Sequence, residues 1–173
     1  MRKHIIITLL TLSLSLPLSI AGDLIAGINF GDSREQVKTK LLGSNLVASD
    51  LPKSMFSRIG LNGAFQTTES LKGLKFSLYF SWSDDQLTEI TYRSTTAPPA
   101  SIKAAWSHSI NLLSAIHRKA KNAGDYPQVN QLQDKKILYS HEWKNGAGFL
   151  YLGVGKITGE YNLTITFSKI KLS

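Results

Sequence analysis

Three histidines, His108, His117 and His141, are the first candidates for acid–base or metal chemistry in this chain. His108 and His117 stand nine residues apart in a stretch of helical periodicity. At about 100° per residue they point opposite ways and cannot share a metal ion. His117 reads as a packing residue at the rim of an apolar stripe. His141 alternates with Ile137, Tyr139 and Trp143, which predicts a histidine on the buried face of a strand. A hydrolase built on His141 and Glu142 is disfavoured, because neighbouring strand residues face opposite sides. Asp84 and Asp85 are adjacent carboxylates, whereas paired acid–base catalysis needs both aimed at one bond. They read instead as turn residues. The run Gly153-Val154-Gly155-Lys156-Ile157-Thr158-Gly159 lacks phosphate-loop spacing and precedes a strand rather than a helix. No nucleophile elbow or His-Glu-x-x-His helix occurs. With no cysteine in 173 residues, a thiol nucleophile, a Cys-ligated zinc, a disulfide scaffold and a lipidated N-terminal Cys are excluded. The expectation is a protein without enzymatic activity, catalytic residues, metal or cofactor.

The N-terminus sets the compartment in which any remaining chemistry would operate. Arg2, Lys3 and His4 precede the apolar run Ile5 to Leu16, and Pro17 and Ser19-Ile20-Ala21 follow. This is the layout of a secretory signal peptide over 1–21, cut after Ala21. The run is shorter than the roughly 20 residues that span a bilayer, and no later stretch is apolar enough to do so. The expected product is a single exported α+β domain over 22–173, periplasmic or secreted from a bacterium. Without Arg2 and Lys3, the 20 basic residues fall to 18 against 12 acidic ones, net +6. That charge suits an acidic protein, anionic lipid or lipopolysaccharide. Nucleic acid is not expected of an exported chain lacking interleaved basic and aromatic residues.

Hydrophobic spacing then orders the elements. Leu24 to Phe30 reads as a short extended run, and Ser33 caps a helix of about ten residues whose Val37 and Leu41 share a face. Residues 44–59 read as irregular and Leu61 to Thr67 as a strand. Phe76, Leu78, Phe80 and Trp82 alternate with polar partners, Ser83 to Gln86 makes a turn, and Leu87 to Thr95 returns, a β-hairpin. A long helix over Ser101 to Ala123 places Ile102, Ala105, Trp106, Leu113, Ile116 and Ala120 in one stripe. Three strands follow, over Ile137–Trp143, Phe149–Val154 and Tyr161–Ile170. The fold class is α+β, an antiparallel sheet or two smaller sheets with two helices on one face. Its order reads as a tandem αβββ arrangement with halves 22–97 and 98–173.

Phe30-Gly31-Asp32-Ser33 followed by Val37 and Leu41 resembles the Gly-x-Ser/Thr-x-x-x-Val opening of small periplasmic modules of the BamE/SmpA and β-lactamase-inhibitor-protein type. The helix-then-sheet order is similar too. The resemblance implies an envelope accessory or inhibitory role through protein contact. The chain departs from both groups in lacking their cysteines.

The functional expectation is therefore a binding protein that engages an envelope or secreted protein by its sheet face or hairpin loops. Met55, Phe56, Trp82, Asp84 and Asp85 are the candidate contacts. The alternative is a binder of a small ligand or envelope lipid, held between sheet and long helix by Trp106, Tyr139, His141 and Trp143.

Overall fold

The computed structural model describes residues 25–47 and 61–172. The signal-peptide reading and the proposed contacts Met55 and Phe56 lie outside these residues. Helix α1 (Arg34–Gly43) leads to strands β1 (Phe65–Leu71), β2 (Leu74–Ser83) and β3 (Gln86–Ser94). Helix α2 (Pro99–His117) leads to β4 (Asn122–Ala123), a short 3-10 turn, β5 (Ile137–Asn145), β6 (Gly148–Ile157) and β7 (Glu160–Ser168). All the strands belong to one antiparallel sheet of order β1-β2-β3-β7-β6-β5-β4. Each half of the chain thus contributes a meander, and the last strands of the two halves, β3 and β7, meet at the centre.

Pairing register decides which side chains share a face. Ile90 faces Phe167 and Tyr92 faces Ile165, while Leu150, Leu152 and Val154 face Phe167, Ile165 and Leu163. These side chains form one core with Val37 and Leu41 of α1 and Ile102, Ala105 and Leu113 of α2. Both helices therefore cover the same side of the sheet. α1 begins as expected. The Ser33 hydroxyl accepts from the Gln36 amide, and the Gln36 side chain accepts from the Ser33 amide.

Three expectations are corrected. Of the run expected over Leu24 to Phe30, the described residues from Ile25 are not a strand, because the Ile28 amide donates back to the Ile25 carbonyl in a turn. The strand expected from Leu61 begins at Phe65 and runs to Leu71, and Lys72 and Gly73, both at positive φ, turn it into β2. The long helix stops at His117, six residues early. Arg118 turns to φ 66°, its carbonyl accepts from the Trp143 indole at 3.1 Å, and Asn122 and Ala123 pair with Glu142 and His141. The bare edge of β5 outcompetes the helical preference of Lys119 to Ala123.

Candidate binding face of the sheet

The hairpin tip does not stand free. Asp84 and Asp85 sit at φ 49° and 61°, the paired left-handed conformation of a tight hairpin that Asp tolerates. Asp85 Oδ1 lies 3.3 Å from Arg34 Nε, and the Arg34 guanidinium lies 4.5 Å over the Trp82 ring. Trp82 is half-buried beside Phe80. The structure thus places Trp82 and Asp85 against the start of α1, and Asp84 alone of the three lacks an interaction there.

Of the four residues of the alternative pocket, Trp106, His141 and Trp143 come together and Tyr139 is separated from them. A bulge between Tyr139 and His141 shifts the β5 register, so His141 faces Leu152 on the helix side while Tyr139 faces Gly153 on the opposite side. His141 lies between Trp106 and Trp143, at 5.5 Å from each ring centroid. The Ser140 hydroxyl at the bulge accepts from the Trp106 indole at 2.8 Å and stands 3.1 Å from His141 Nδ1. These groups pack on one another under α2. The space between sheet and helices lies elsewhere. A cavity of about 440 Å³ is lined by Leu46, Phe76, Tyr92, Leu112, Leu113 and Phe167 among others.

Burial holds the pKa of His141 below its ordinary value near 6.5, and does the same for His117. The unfolded chain then takes up these protons at a higher pH than the native one. The histidine contribution to stability is full above about pH 6.5 and is lost as the pH falls through the depressed native values. Urea midpoints should therefore drop between about pH 7.5 and about pH 5, with a shallower slope in His141→Phe. Identical slopes would contradict the assignment to His141.

The side of the sheet away from the helices was not singled out residue by residue in the sequence, yet its pairing gathers Tyr79, Tyr139 and Tyr151, three of the six tyrosines. One row crosses the sheet as Tyr79, Thr91, Thr166, Tyr151, Glu142 and Asn122. The next runs Ser77, Arg93, Thr164, Gly153 and Tyr139, and a third Glu89, Ser168, Phe149 and Lys144. Along β7 the side chains are short and buried (Asn162, Thr164, Thr166, Ser168), so they form a floor. Taller groups flank it, with Arg93 stacked 4.8 Å over Tyr79 on one side and Lys144 4.2 Å over Phe149 on the other. Tyr139 lies across Gly153, where an added Cβ would meet its ring at 2.8 Å. Its phenol stands 3.2 Å from Thr166 Oγ1 and keeps 36% of its residue surface exposed. Burial, more than any other influence, raises that phenol's pKa, so it stays neutral and able to donate.

This face missed detection because its signal is polar alternation between apolar positions, which reads as ordinary solvent-facing sheet. Among the described residues, no group of three or more His, Asp or Glu side chains is placed to hold a metal ion, and no helix is long and apolar enough to cross a membrane. No family model, no curated protein and no solved structure matches the chain.

Proposed function

We propose that this is an exported binding protein that acts without catalysis, by protein–protein contact through the open face of its sheet. The observation that carries the reading is the set of partly exposed side chains Tyr79, Arg93, Tyr139 and Phe149 on one face of the sheet, beside the buried short side chains of β7. Tyrosine and arginine carry much of the energy of protein interfaces, and their mounting on a paired sheet limits the ordering cost of binding. The leader-like residues 1–21 and the BamE/SmpA-like opening Gly31 to Val37 support an envelope or secreted setting. The partner then comes from the same compartment.

The test uses the processed chain as bait on the envelope fraction of its own cells, with a double variant, Tyr79→Ser with Tyr139→Ser. A stoichiometric partner should be retained by the parent and by Asp84→Ala, and lose at least about tenfold in affinity to the double variant, or about 1.4 kcal/mol. Retention of that partner by the double variant at parental affinity would move the contact off this face.

A second reading, binding of an apolar small ligand or lipid chain, is favoured by the cavity of about 440 Å³ between α2 and the sheet. Its size falls in the range of small-molecule sites. A non-covalent mass on the protein in native mass spectrometry, displaced by Leu113→Trp, would select this reading.

A further inference from the structure

The cavity under α2 has an apolar wall and a polar rim. Phe76, Leu112, Leu113, Ile165 and Phe167 line it, and the exposed Asn45, Thr68, Glu69 and Ser70 stand at its edge. That edge falls where β1 departs from regular pairing, between Gln66 and Ser70. At about 440 Å³ it has about three times the volume of a cavity of about 150 Å³ that holds one benzene ring, which gives room for roughly eighteen non-hydrogen atoms.

Two observations narrow the chemistry of a ligand. The first is an idle donor. Other hydroxyls of the lining donate to backbone carbonyls, Ser44 to Leu41, Thr67 to Glu69, Thr68 to Asn45 and Ser109 to Ala105. Tyr92 differs. It pairs with Ile165 on the helix-covered side of the sheet, its ring beside those of Phe76 and Phe167. It nevertheless stays partly exposed, and the space it borders is the cavity. Its hydroxyl has no hydrogen-bond partner among the described residues, and burial alone holds its pKa well above the ordinary value near 10. The phenol is therefore a protonated donor in apolar surroundings, a state that proteins rarely leave unsatisfied.

The second observation is charge. Among the described residues no Lys, Arg or His lines the cavity, and the charged side chain at its rim is the acid Glu69. A ligand carboxylate or phosphate would lose its hydration there without a counter-charge. A carbonyl oxygen accepts a hydrogen bond and carries no charge.

We infer that the cavity takes a neutral aliphatic chain carrying a carbonyl oxygen, and that this oxygen accepts a hydrogen bond from the Tyr92 hydroxyl. The inference rests on the small-ligand reading of the cavity and supplies the chemistry of the ligand.

Displacement of the fluorescent probe N-phenylnaphthylamine, whose polar group is an N–H donor, tests the two levels separately. The competitors are methyl laurate and laurate, at about pH 8 where laurate is ionised. The parent protein should bind the probe saturably, and methyl laurate should displace it at a concentration at least about tenfold below that of laurate. Tyr92→Phe keeps the ring and removes the hydroxyl. It should bind the probe as the parent does and hold methyl laurate about threefold to tenfold more weakly. If the probe binds but Tyr92→Phe holds methyl laurate as tightly as the parent, or laurate competes as well as the ester, the inference is overturned and the small-ligand reading stands. If the parent fails to bind the probe, or Leu113→Trp binds it unchanged, the small-ligand reading itself falls and the inference with it.

Discussion

Trp143→Ala should lower the unfolding free energy by about 3–5 kcal/mol, the usual loss for a large aromatic side chain removed from a packed interior. Trp143 is fully buried. Its ring stacks on His141, and its indole N–H reaches the carbonyl of Arg118 at the residue where α2 ends. Truncation removes the packing and also leaves that carbonyl without its donor, so the turn that hands the chain to β4 should loosen. Trp143→Phe separates the two effects. It keeps most of the apolar contact and loses the hydrogen bond, for an expected loss of about 1–2 kcal/mol. Urea unfolding followed by circular dichroism measures both. A loss below about 1 kcal/mol for Trp143→Ala would mean that the ring is not part of the core. Hydrogen exchange should locate the loosening at Lys121 and Gly124, whose amides donate to Glu142 and Ser140.

Gly148→Ala should be nearly as damaging, although it adds a single methyl. An added Cβ would lie 2.6 Å from the Ser168 carbonyl oxygen and 2.5 Å from the Phe30 ring. The ring can move, but the carbonyl belongs to the β6–β7 ladder, where Phe149 pairs with Ser168. Overpacking of this kind costs about 1–3 kcal/mol, and the upper half of that range is expected where backbone must shift. Gly43, the last residue of α1, is the internal control. Nothing lies within 4 Å of its added Cβ, so Gly43→Ala should be neutral or stabilising by up to about 1 kcal/mol. If the two substitutions had equal effects on the urea midpoint, the close approach at Gly148 would be wrong.

Legibility along the chain followed the strength of local periodicity. Phe76 to Trp82 alternates cleanly, and β2 forms there and pairs with β3 across the expected Asp84-Asp85 turn, with a register shift between Ser81 and Trp82. β1 was displaced in the reading because its burial does not alternate. A bulge between Gln66 and Ser70 breaks the period, and three consecutive exposed residues follow Thr67. The same mechanism misled the pocket assignment. One bulge beside Ser140 separates Tyr139 from His141, and the period-two argument that joined them failed at that residue. The helix stripe was correct at Ile102, Ala105 and Leu113, but Ile116 is 37% exposed and Ala120 lies beyond the helix. Propensity had no means of registering the unpaired edge of β5.

Apart from β4, the order of helices and strands, the cap at Ser33, the central hairpin and the missing thiol chemistry follow from the amino-acid sequence alone, because each depends on residues within a few positions of one another. The joining of β3 to β7 and the placing of Tyr79, Arg93, Tyr139 and Phe149 on one face of the sheet were settled only by the tertiary structure. Their partners lie tens of residues apart, and pairing across that distance is chosen by the shared core and by bulges that local spacing does not encode.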